Sequence, residues 1–240
     1  MAKNYFGVIA VYIIMQFSVF LGVPLLMGKT DLSIIQANGY WSIGSFTVGL
    51  ILVLLLMKPE MKKNMDRNAT NFNTTIGWII LGVFLSYGAQ ILAGLIEQNF
   101  FKVSNESANT EQIMMLARSA PLFVIIPALI APILEEIIFR KIIFGSMYKR
   151  MGFLIPAIIS SIMFGLIHGE LVHLLIYASM GFVFAYLYMK TKRIIVPIAV
   201  HMALNSISVI LQYNIDPEDI DRMQQQAEVL QTILLGGVLF

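Results

Sequence analysis

Residues Ala131 to Lys141 read APILEEIIFRK, with two adjacent glutamates and an arginine set in an otherwise apolar run. On a helix, Glu136 and Arg140 are four apart and share one face, with the acid N-terminal to the base, the favourable order for an ion pair. Glu135 points about 100° away from Glu136. The two acids therefore divide: Glu136 is held by Arg140, and Glu135 has no counter-charge. A carboxylate in apolar surroundings with no cation beside it holds a proton more readily than one in water, which suits a general base near neutral pH. The competing expectation is that both glutamates are interhelical structural partners.

Two further segments carry groups that suit the same chemistry. FGLIHG sets Phe164 and His168 one turn apart, and HMALN does the same for His201 and Asn205. Two imidazoles and a carboxylate activate water in two ways. Glu135, His168 and His201 would bind zinc and leave one position for a water that loses its proton near neutral pH. Alternatively Glu135 takes the proton directly, while His201 and Asn205 donate hydrogen bonds to the developing oxyanion. Both attack a carbonyl. The linear HExxH zinc motif is absent, so any metal site must be assembled from separate helices. The chain has no cysteine, which excludes disulfides, thiolate metal sites and a cysteine nucleophile. Glu170 and His173, in HGELVH, would either line the cavity mouth or, as the favoured expectation, be interface residues satisfied by water.

The elements that must position these groups are membrane helices. The chain is 58% hydrophobic and 12% charged, with a mean hydropathy of +0.79, against roughly 25% charged residues in soluble domains. Apolar runs predict an all-α, polytopic membrane protein forming one integral membrane domain over residues 1–240, with spans near 5–28, 34–57, 76–96, 121–148, 153–168, 171–189 and 194–212. A run at 229–240 is short for an eighth. Ionisable groups at membrane depth are costly and by default functional, facing the bundle interior.

Lys3, Lys58, Lys62, Lys63, Arg67, Lys141, Lys149, Arg150, Lys190, Lys192 and Arg193 fall in one set of alternating loops. Lys29, Lys102, Arg118 and Arg222 fall in the other, so the positive-inside rule puts the N-terminus in the cytoplasm. The stretch from Glu97 to Ser119 reads as an outer loop with a short amphipathic helix at 111–118. At ~1.5 Å per residue, Glu135 lies about 22 Å from Arg150 but His201 only about 12 Å from Arg193. Strong tilt, or a bend of KIIFGSMYKR into an interfacial segment, is needed to bring them level. A proton-coupled carrier is a competing function, but no internal repeat accompanies the polar groups. A non-catalytic membrane scaffold is a third, and it has no chemical need for an unpaired buried glutamate.

In order, Glu135-Glu136 with Arg140, Phe164 with His168 and His201 with Asn205 resemble the three signature motifs of the CPBP intramembrane proteases. This CAAX-protease and bacteriocin-processing family, also called Abi, includes the type II CAAX prenyl endopeptidases. The resemblance covers Pro121 to Leu211, and motif types, order and spacing all match. It implies a polytopic helical endopeptidase of the cell membrane with its site in an intramembrane cavity. Glu135 and His168 would activate water, His201 and Asn205 would stabilise the oxyanion, and Glu136, Arg140 and Phe164 would support them. The family is commonly labelled metalloprotease, with Glu135, His168 and His201 as the ligands if zinc is used. Implied partners are the bilayer and a membrane-associated peptide or protein, such as a leader peptide, a pheromone precursor or a lipidated C-terminal tail. Nucleic acid is not expected.

Overall fold

The computed structural model describes residues 3–63, 69–104 and 106–214. The run at 229–240, and the loop charges Arg67 and Arg222, lie outside them. Helices α1 (Lys3–Phe17) and α2 (Val19–Met27) form the first span, interrupted at Ser18. There the hydroxyl of Ser18 donates to the Met15 carbonyl at 2.7 Å and accepts from the Trp41 indole at 2.9 Å. Helices α3 (Ile34–Lys63) and α4 (Phe72–Phe101) are each 30 residues long, enough to cross a hydrocarbon core of about 30 Å. The amphipathic α5 (Ala108–Ser119) is capped by Ser107, which accepts the Thr110 N–H at 3.1 Å.

The span Pro121–Met151 is the core of the bundle, with 61% of its most apolar stretch buried against 17–39% for the other five spans. It opens with a 3₁₀ turn (Pro121–Val124). A π-helical segment (Ile126–Ile130), α6 (Ala131–Glu136), a second π-helical segment (Ile137–Phe144) and α7 (Gly145–Met151) then follow. The chain ends its described part with α8 (Leu154–Leu166), α9 (Leu174–Thr191) and α10 (Ile195–Asn214).

Six helices among the described residues are long and apolar enough to cross a membrane. The expected span at 153–168 is not one of them: α8 has 13 residues, about 20 Å of helix. The expected amphipathic helix at 111–118 lies within α5, and α4 runs on through Glu97 to Phe101. KIIFGSMYKR does not leave the helix, which continues to Met151. At 31 residues this span is longer than the ~20 residues a hydrocarbon core needs, so counting inward from Arg150 overstates depth.

Helices α8 and α9 touch through small residues. A Cβ on Gly181 would lie 3.0 Å from the Ser161 Cα, and one on Gly165 2.7 Å from the Leu174 Cδ1. Close approach of this kind is how apolar helices gain packing in a bilayer, where no hydrophobic force drives them together. Gly181→Val is expected to force the pair apart and lower stability by about 1–3 kcal/mol. Thermal unfolding in detergent reads this, and an unchanged midpoint would show that the contact is not tight.

Candidate active site

The predicted site residues come from the central span, the turn after α8 and α10, and local backbone chemistry sets their direction. Pro127 and Pro132 both lie in the central span, and neither has an N–H to give. In the π register Ala131 N–H reaches the Ile126 carbonyl. The next such bond, from residue 132 to the Pro127 carbonyl, is the one a proline cannot make. A buried carbonyl without a partner is costly, and Asn205 on α10 fills the gap, its side-chain amide donating to the Pro127 oxygen at 2.9 Å. One proline thus fixes where Asn205 sits.

Glu136 is fully buried and central. Its Oε2 lies 3.1 Å from the Arg140 Nε, and its Oε1 accepts from the His201 Nδ1 at 3.2 Å. Arg140 is also fully buried, and its Nη atoms have no hydrogen-bond partner among the described residues. The guanidinium carbon instead lies 4.6 Å from the ring centre of Phe164, 5.4 Å from that of Phe184 and 5.9 Å from that of Phe139. The Nε–Oε2 contact is not aligned as a hydrogen bond, so charge attraction and aromatic faces hold the pair together. The Phe164 ring packs against Arg140, His168 and His201.

His201 stands between the two glutamates. With Nδ1 on Glu136, its Nε2 lies 3.8 Å from Glu135 Oε2, beyond hydrogen-bond range but within reach of charge. The ring also stacks on Phe184, with centres 4.9 Å apart. His168 is anchored by Nδ1, 2.8 Å from the Phe164 carbonyl. A carbonyl only accepts, so Nδ1 carries the proton and the neutral ring keeps a lone pair on Nε2. Just past it, Gly169 takes a φ of +74°, a turn that only glycine adopts without strain.

Glu135, His168, His201 and Asn205 line one cavity of about 630 Å³, within the usual range of ligand pockets of roughly 300–1,000 Å³. The wall also includes Gln16, Phe46, Tyr87 and Gln90 from the first three spans. No motif in that half of the chain points to them. Single polar residues in long apolar runs were the available signal.

Glu97 was also missed. It is buried, and its Oε1 accepts the N–H groups of Leu175 and Ile176 at 3.0 and 3.2 Å, closing the N-terminus of α9. Its other oxygen meets the His173 Nδ1 at 2.9 Å, while the His173 Nε2 lies 2.8 Å from the Glu106 carbonyl. Glu97 is the sole charged residue of α4, and that isolation was its signal. Glu170 accepts from Ser107 Oγ at 2.8 Å, the Asn109 N–H at 2.9 Å and the Tyr177 hydroxyl at 2.8 Å. Burial alone would raise the Glu170 pKa, but these donors hold it below the ordinary carboxylate value. The expectation that Glu170 and His173 are satisfied by water is therefore corrected. Protein groups satisfy both, because α5 and the turn before α9 close on one another.

The expected zinc ligands Glu135, His168 and His201 face one cavity, but no group of three or more His, Cys, Asp or Glu among the described residues is gathered tightly enough to hold a metal ion. The donors as they stand do not make one ligand set.

An all-helical, multi-pass bundle with a carboxylate, two imidazoles and an amide around one cavity defines a membrane protein equipped for hydrolysis. Residues 117–207 match the family described as Type II CAAX prenyl endopeptidase Rce1-like. Over 246 aligned residues the chain is 40% identical to "Putative membrane peptidase YdiL" of Bacillus subtilis (strain 168), covering 99% of each chain. Over 244 residues it is 30% identical to "Membrane-embedded CAAX protease MroQ" of Staphylococcus aureus (strain USA300), covering 95% of this chain and 96% of that one. No solved structure matches. The chain belongs to the Rce1-like family of membrane-embedded CAAX proteases. Intramembrane proteolysis is the activity that this membership supports.

Proposed function

We propose that the protein is a single-domain intramembrane endopeptidase in which Glu135 activates the attacking water. One observation carries this reading: Glu135 Oε2 stands 3.8 Å from the His201 Nε2 on the wall of a cavity that His168 and Asn205 also line. Water held between Glu135 and the bare Nε2 of His168 attacks the scissile carbonyl carbon, and Glu135 takes its proton. Asn205 has a second amide hydrogen beyond the one given to Pro127, and it donates to the oxyanion. His201 in its protonated form donates from Nε2, with Glu136 stabilising that charge at Nδ1. Collapse breaks the C–N bond, and the proton held by Glu135 passes to the leaving amine.

The substrate is a peptide segment of a membrane-associated peptide or protein. A leader peptide, a pheromone precursor and a lipidated tail all meet that description. The basic loops favour a cytoplasmic N-terminus. In a chain without cysteine, single cysteines placed at Lys149 and Lys102 should differ in labelling by an impermeant maleimide.

The decisive test is hydrolysis of an internally quenched peptide library by protein reconstituted in liposomes, comparing wild type with His168→Ala and His201→Ala. Cleavage by either variant at the wild-type rate would remove that residue from the mechanism. A zinc-assisted route is the second reading; it rests on the family's usual label and would need Glu135, His168 and His201 to draw together around the ion. Metal chelation is expected to leave the wild-type rate unchanged. Loss of cleavage under chelation, restored by added Zn²⁺, would replace the glutamate route with the zinc route.

A further inference from the structure

Among the described residues, His168 has a single hydrogen bond to fix it, from Nδ1 to the Phe164 carbonyl. One bond at the edge of a ring sets the tautomer but leaves the plane free to rock about it. The plane is set elsewhere. The Tyr177 ring lies nearly parallel to the imidazole, with centres 4.1 Å apart and planes at 21°, while Phe164 meets the imidazole edge-on at 4.8 Å. Tyr177 is on the first turn of α9 and is itself tethered. Its hydroxyl donates to Glu170 Oε2 at 2.8 Å and accepts from the Asn109 side chain at 3.3 Å. Glu170 is secured in turn by Ser107 and the Asn109 backbone at the start of α5.

We propose that Tyr177, tethered by Glu170, is the positioning residue that sets the plane of His168 and so aims its Nε2 at the water. This rests on the hydrolase reading given above. Tyr177 acts through His168, and its planar face is the working part; the hydroxyl serves to hold that face in place. The arrangement also couples the site to α5. Ser107 and Asn109, which grip Glu170, line the same cavity, so a shift at the start of α5 would reach His168 through Glu170 and Tyr177.

Variants at Tyr177 separate these roles. Since small misplacements of a catalytic group cost up to ~10²-fold, Tyr177→Leu is expected to lower kcat by about 10- to 100-fold with KM within about twofold, and Tyr177→Phe to keep kcat within about fivefold. Tyr177→Met, similar in bulk and without a ring, replaces the leucine variant should that one fail to fold. The assay is the quenched peptide library in liposomes.

A second readout does not depend on proteolysis. The chain has three histidines, and their carbethoxylation by diethyl pyrocarbonate can be followed separately by mass spectrometry. Uncovering the ring face in Tyr177→Leu should speed modification of His168, but not of His173, whose two ring nitrogens are both bonded. Tyr177→Phe should match wild type. Equal damage to kcat from Phe and Leu would show that the hydroxyl is the working group and overturn the proposal. Unchanged His168 labelling in the leucine and methionine variants would also overturn it. If wild type cleaves no peptide, the hydrolase reading fails, yet the labelling still reports whether Tyr177 covers His168.

Discussion

Glu135→Gln is expected to lower kcat/KM by roughly 10²- to 10⁴-fold, the range for loss of a positioned general base, while leaving the fold intact. The substitution keeps the shape of the side chain and removes only its capacity to take a proton. Glu135 is the acid that the folded chain leaves available. It reaches the cavity wall, its side chain retains 13% exposure, and it accepts no hydrogen bond from another described residue. Its charge contact is to the His201 Nε2 at 3.8 Å, beyond hydrogen-bond range, so thermal unfolding should stay close to wild type. Cleavage by the glutamine variant at the wild-type rate would end the proposed role. A large drop in unfolding temperature would show that Glu135 is structural.

The second large effect is on stability. Arg140→Met should destabilise the protein by about 3–5 kcal/mol, the usual cost of leaving one half of a buried ion pair without its partner. Methionine fills much of the space among Phe139, Phe164 and Phe184 but gives Glu136 no positive charge. Glu136 would remain at zero exposure with only the His201 Nδ1 contact at 3.2 Å. Replacing both members, as Glu136→Leu with Arg140→Met, should recover much of the loss, because an apolar pair avoids the desolvation of two charges. It should not recover cleavage, since His201 would lose the carboxylate that orients it. Thermal unfolding of the single and double variants, with activity measured alongside, separates the two roles. Arg140→Met as stable as wild type would show that the pair contributes little, and an active double variant would show that Glu136 does not serve His201.

These two outcomes divide the acids that stand side by side in APILEEIIFRK. That division was legible in the sequence, because the 3.6-residue period puts Glu136 over Arg140 and turns Glu135 aside. The order of the three motifs was equally plain, as was the all-helical membrane class. Each depends on contacts within a turn or on the apolar character of a whole run, and both are properties of neighbouring residues.

Partnerships across the chain were not legible. The bond from His201 to Glu136 joins residues 65 apart, and that from Asn205 to the Pro127 carbonyl residues 78 apart. No local periodicity encodes either. Helical spacing pairs Glu136 with Arg140, and in the fold Glu136 also meets the imidazole of His201. Glu97, which the sequence places at the start of a loop, caps a helix whose N-terminus reaches it only once α4 and α9 have packed. The shortness of α8 and the wall supplied by the first three spans were hidden for the same reason. Local sequence thus specified which groups are present and which helical face each occupies. Tertiary packing decided which groups meet, because buried carbonyls, carboxylates and ring nitrogens must find partners wherever the bundle brings donors and acceptors together.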